Sequence, residues 1–179
     1  MNIEIKALKQ EKTLVEPNEI ASLILISAVA LLVPFSLGHP QLLVGIIVNT
    51  CLVLAALSSK NRAIALPIAL LPSVGVIARG LVFGPFTPLL AFMVPFIWAG
   101  NLILMFGMKK IKNKWLALPI SAILKSAFLY SIALLFIRAG VLPQIFAVSM
   151  GAIQFYTALA GGIIALTILG VRSKIQKKS

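Results

Sequence analysis

Lys125 is the one charged residue with long apolar sequence on both sides, in the run WLALPISAILKSAFLYSIALLFIR from Trp115 to Arg138. As a helix rising about 1.5 Å per residue, this run crosses a hydrocarbon layer about 30 Å thick and leaves the ammonium near its middle. A lysine at that depth costs about 2.5–3.5 kcal/mol on insertion scales, so it requires acceptors or a counter-charge. The only acidic residues are Glu4, Glu11, Glu16 and Glu19, all ahead of the first apolar span. No carboxylate within the apolar part of the chain neutralises Lys125. Helix carbonyls, water, a bound anion or an acid on another protein remain as sources.

Three amides lie at comparable depth. The second apolar run places Gln41, Gly45 and Asn49 four residues apart and so on one helix face. The fourth carries Trp98 and Asn101 around Gly100, an aromatic wall beside an amide, and the sixth carries Gly151, Gln154, Ala158 and Gly162. Asn49, Asn101, Lys125 and Gln154 come from four helices and are expected to converge in the bundle interior. The competing role for each amide is helix–helix glue, where such hydrogen bonds average about 0.6 kcal/mol. Arg79 follows Gly75 by four residues and precedes Gly80, Gly84 and Pro85. It is expected to make the cavity electropositive together with Lys125, while Arg138 anchors at the interface. The candidate binding set is therefore Asn49, Arg79, Trp98, Asn101, Lys125 and Gln154.

Other chemistries lack their parts. Without an Asp or Glu in the apolar runs there is no carboxylate proton relay, no acid/base pair and no hard-cation cage. One His and one Cys, Cys51, cannot build a four-ligand zinc site. Ser121 stands four residues before Lys125, as a Ser/Lys nucleophile pair would, but such pairs arise easily and no oxyanion-hole motif accompanies this one. No phosphate-cradling loop appears, so any ATP use must reside in a partner. The expectation is a non-enzyme without cofactor or metal.

The elements that position these residues are long and apolar. The chain of 179 residues is 60% hydrophobic with a mean hydropathy of +1.08, which points to lipid as its solvent. In lipid every backbone group must be satisfied internally, and apolar runs without strand alternation then mean helices. The sequence predicts an all-α membrane protein, a compact bundle of six transmembrane helices at 20–37, 41–57, 63–83, 86–108, 115–137 and 142–171. A lead of residues 1–19 precedes them and a basic tail, 172–179, follows. The net charge of +12 would suggest nucleic acid for a soluble protein. Here the basic residues cluster at span ends, where they meet anionic lipid, so no nucleic-acid partner is expected. Lys6, Lys9, Lys12, Lys60, Arg62, the group Lys109 to Lys114 and the tail lysines all fall on one side, which places both termini in the cytoplasm. Pro34, Pro67, Pro72, Pro88, Pro95 and Pro119 interrupt the spans and fit kinked helices around a cavity.

Three stretches carry a family resemblance: His39-Pro40-Gln41-Leu42-Leu43-Val44-Gly45-Ile46-Ile47-Val48-Asn49 in the second run, Pro95 through Asn101 in the fourth, and Lys125 in the fifth. In these the chain resembles the substrate-binding S components of ECF-type (energy-coupling factor) vitamin transporters. The resemblance implies a subunit of a prokaryotic plasma membrane that captures a small vitamin-like nutrient in an outward-facing cavity. It also implies docking on a coupling transmembrane subunit driven by two ATPase subunits. In that setting Trp98 would stack on the solute, Asn49, Asn101 and Gln154 would hold its polar edges, and Lys125 and Arg79 would favour an anionic group. The chain departs from the family at the first helix, where Ala21, Ser22, Ser27, Ala28 and Ala30 do not form an Ala-x-x-x-Ala docking surface. The alternative is a structural or assembly subunit of a larger membrane complex in which Lys125 pairs with a neighbour's carboxylate.

Overall fold

The computed structural model describes residues 17–37, 40–59, 65–79 and 84–176. Most of the N-terminal lead, His39, Lys60, Arg62, Gly80 and the last three residues of the tail lie outside that set. Among the described residues the structure is helical throughout, with no strand. Five segments are long and apolar enough to cross a membrane, Glu19–Ser36, Gln41–Ser58, Pro88–Lys110, Lys114–Arg138 and Ile145–Ile175. They make the chain a multi-pass helical membrane protein.

The helices are α1 (Pro17–Ser36), α2 (Gln41–Ser58), α3 (Leu71–Arg79), α4 (Val94–Lys110), α5 (Lys114–Arg138), α6 (Ile145–Met150) and α7 (Ala152–Gln176). The third apolar run departs from the continuous span expected over 63–83. It is a short 3-10 segment, Leu66–Ala69, followed by α3, and its apolar helical part from Leu66 to Arg79 falls short of the about 20 residues a straight crossing takes. Pro67 and Pro72 have no N–H to donate, and the run breaks between them where Pro34 in α1 and Pro119 in α5 leave their helices continuous. Proline acts similarly ahead of α4, where Gly84–Met93 winds as a 3-10 helix through Pro88, while Pro95 sits in the first turn of α4 and removes no bond there.

The sixth run is one segment long enough to cross, Ile145–Ile175, with a break at Gly151 between the short α6 and the long α7. Helix α5 has firm ends. Asn113 caps its start by accepting from Trp115 N and Leu116 N at 3.1 and 3.3 Å. Its end closes on Gly140 at φ +73°, with Gly140 N donating to Ile137 O and Val141 N to Phe136 O, a termination that favours a residue without Cβ.

α7 lies along α2, α5 packs on both α4 and α7, and α1 bridges α2 and α3. The α2–α7 approach depends on Gly161. A Cβ there would stand 2.5 Å from the Ile46 carbonyl oxygen and 2.8 Å from Thr50 N. Thr50 Oγ1 reaches across this contact to the Gly161 carbonyl at 3.1 Å. Small residues therefore bring two backbones close enough for a side-chain hydroxyl to bond across, the usual basis of helix association in lipid. An apolar cluster built on Met93, Leu129, Phe146 and Met150 joins α5, α6 and the 3-10 helix ahead of α4.

Candidate functional site

The close approach of α2 and α7, with α4 and α5 against them, sets the surroundings of Lys125. Its side chain is buried, 1% exposed, in the bundle interior. Nζ donates to Asn49 Oδ1 at 2.6 Å and to Asn101 Oδ1 at 2.9 Å. Both amides are held from behind. Asn49 Nδ2 donates to the Gly45 carbonyl at 2.8 Å and to Thr157 Oγ1 at 3.1 Å, and Asn101 Nδ2 donates to the Ala69 carbonyl at 2.8 Å. Because the amide nitrogens already face acceptors, both amide oxygens turn to the lysine. An ammonium has three donors and two are engaged here.

The broken third run takes part in this network. The 3-10 segment ends at Ala69, whose carbonyl accepts the Asn101 amide, and α3 follows at once. Irregular backbone of this kind persists in lipid only where protein or a polar cavity satisfies it.

Beside Lys125 lies a cavity of about 90 Å³, walled by Gln41, Gly45 and Asn49 of α2, Pro72 and Ser73 of α3, Asn101 of α4, and Gln154 and Thr157 of α7, with aliphatic side chains between them. Its α2 and α7 residues come from the first halves of those helices, Pro34 from the last turn of α1, and Lys125 from mid-helix. The cavity thus occupies the half of the bundle remote from the Lys109–Lys114 connection. Ser73 is 3% exposed and its Oγ has no hydrogen-bond partner among the described residues. No acidic side chain is among the described residues of the wall.

The structure brings together Asn49, Asn101, Lys125 and Gln154, and places two expected residues elsewhere. Trp98 is half-buried and absent from the cavity wall, with its Nε1 unpartnered among the described residues. Ile97 takes the place assigned to it, since residues four apart lie closer to one helix face than residues three apart and the four-residue partner of Asn101 is Ile97. Arg79 faces α1 instead of the cavity. One turn before it, Gly75 packs against the Leu31 carbonyl, and the guanidinium donates to the Phe35 carbonyl at 2.8 Å and to the Ser36 carbonyl. These are orphan carbonyls at the end of α1, which a cation stabilises.

Two wall residues escape a reading by sequence. Thr157 orients Asn49, and its only signal is its place four residues before Gly161; Ser73 has none beyond following Pro72. Ser121, the other half of a conceivable nucleophile pair, is fully buried, donates to the Ala117 carbonyl at 2.7 Å and packs against Gly107, away from the cavity wall. Among the described residues no three His, Cys, Asp or Glu side chains gather as a metal site, and Cys51 is a buried free thiol.

Charge at the opposite end is handled locally. Lys109 Nζ donates to the Ser59 carbonyl at 2.6 Å, beside the Ser59 Oγ bond to Glu19 Oε1 at 3.0 Å. Comparison of the chain with family models, with curated proteins and with solved structures finds no match in any of the three.

Proposed function

We propose that this chain is the substrate-capture (S) subunit of an ECF-type importer, binding a small, anionic, vitamin-like nutrient in an outward-facing cavity. One observation carries the reading: a buried lysine, with one donor unengaged among the described residues, stands at a cavity whose described wall offers no carboxylate. A bound anion completes that arrangement. The residues behind the family resemblance, Gly45, Asn49, Asn101 and Lys125, are the ones joined in the polar network, which supports the same reading.

In the orientation that the basic residues favour, the broken third run carries the chain across as a sixth pass, the cavity half of the bundle faces outward and both termini lie in the cytoplasm. Capture from outside followed by docking on a coupling subunit with two ATPases is the transport cycle this implies. The chain itself hydrolyses nothing. A volume of about 90 Å³ suits a small solute or the end group of a larger one, since pockets for drug-sized ligands measure about 300–1,000 Å³. The assembly role finds less support, because Lys125 is buried and turned to the interior, where a neighbour's helix cannot reach it without opening the bundle.

The test is ligand binding by purified protein. Vitamin-like acids are expected to raise its melting temperature, and Lys125→Met to weaken binding about 50-fold, the share of a charge-assisted hydrogen bond worth about 2.3 kcal/mol, while the bundle still folds. Unchanged affinity in a folded Lys125→Met protein would sink the proposal.

A further inference from the structure

The cavity wall limits what kind of acid can occupy it. Resting on the capture reading, we propose that the solute presents an aliphatic chain ending in a carboxylate, with the acid group at Lys125 and Ser73 and the chain along the apolar wall. Three observations converge on this class.

Two donors belong to wall residues and have no acceptor among the described residues. Lys125 has one N–H beyond those given to Asn49 and Asn101, and the buried Ser73 hydroxyl has no partner among the described residues. A carboxylate brings two acceptor oxygens for these two donors, and a charge-assisted bond to the ammonium is the stronger of the pair. A neutral alcohol or amide would leave the charge of Lys125 without a counter-ion.

Apart from the amides and the Thr157 hydroxyl, the remaining wall is aliphatic. Val44 and Val48 of α2, Val76 of α3, Leu90, Ile97 and Met150 provide it, and no aromatic ring is among its described residues. Trp98, the residue that would stack on a flat heterocycle, stands outside. Branched aliphatic side chains and a methionine fit a flexible chain and offer a ring no stacking face.

Size points the same way. A cavity of about 90 Å³ is smaller than the roughly 150 Å³ apolar cavity known to admit benzene. The acid group and the first methylenes of a flexible chain fit such a volume and the rest can thread out of it, which a rigid six-membered ring cannot do. Pro34 and Gln41, near the ends of α1 and α2, line the same cavity and give a longer chain a direction in which to continue.

The experiment is isothermal titration of the purified full chain in lipid nanodiscs with pentanoate, 1-pentanol and benzoate, run beside a heat-stabilisation panel of aromatic and aliphatic vitamins. Pentanoate is expected to bind at least tenfold more tightly than either of the other two. Ser73→Ala should weaken pentanoate about three- to tenfold and leave 1-pentanol unchanged, with the melting temperature of the empty protein as the control for folding. The wild-type comparison stands even if a variant fails to fold. Benzoate or 1-pentanol binding as tightly as pentanoate overturns the assignment. Stabilisation by an aromatic vitamin without any pentanoate binding overturns it too, yet leaves capture standing. Silence across both panels removes capture and assignment together.

Discussion

Lys114 and Lys125 stand on the same helix, and each has three N–H bonds for which it must find acceptors. Lys114, at the start of α5, turns back to the end of α4 and donates to the carbonyls of Met108, Lys109 and Ile111 at 2.8, 3.3 and 2.8 Å. Its donors are all engaged by backbone that the end of a helix leaves free. Lys125, in mid-helix, meets no free carbonyls because the surrounding backbone is bonded within its own helices. Two side-chain amides serve it instead, and the lysine lines a cavity. The saturated lysine closes a turn. The unsaturated one has capacity for a ligand.

Supplying the missing acceptor from the protein should break this contrast most strongly. Asn49→Asp gives Lys125 the carboxylate that the apolar runs lack, and acid binding is expected to fall at least about 100-fold, matching the 2–3 kcal/mol of a strong charge-assisted bond. Titration with an acidic ligand measures it; a variant that binds as wild type would mean that the lysine charge does not hold the solute. Next in size is Gly161→Ala. The added methyl has to displace the Ile46 carbonyl or Thr50 N, so α2 and α7 move apart at a cost of about 1–3 kcal/mol. Thermal denaturation reads the loss. Acid binding should fall as well, because Asn49 is held by Thr157 across that contact.

The smallest effect belongs to the other lysine. Lys114→Met strands carbonyls at the end of α4 that interfacial water can partly satisfy, so about 1 kcal/mol of stability is expected to go while acid binding stays within twofold. A large loss of binding in this variant would erase the distinction between the two lysines.

Much of this contrast can be read along the chain. The depth of Lys125 follows from counting apolar residues on either side of it, and its want of a counter-ion from the positions of four glutamates. That Asn49 and Asn101 lie at a similar depth is arithmetic of the same kind. Trp98 and Arg79 resist such arithmetic, because depth does not give azimuth. One turn of helix decides whether a side chain meets the cavity, a neighbouring helix or lipid, and the sequence around Trp98 is apolar on every face. Arg79 was legible as a residue near a span end, but not as the cation that closes α1.

The fold divides along the same line. Composition and the length of the apolar runs determine a helical membrane protein, since lipid leaves the backbone no other way to satisfy itself over such stretches. Prolines 67 and 72 mark where the third run is vulnerable, and Gly151 marks the break in the sixth. Whether a proline bends a helix or ends it depends on what receives the freed carbonyls, and here Asn101, from a distant helix, takes that of Ala69. Tertiary structure alone decided that receipt, the turn of Thr157 toward Asn49, and the cavity left beside Lys125. Each is a contact between helices whose relative rotation is set by packing at glycines such as Gly161, and no local pattern encodes that rotation.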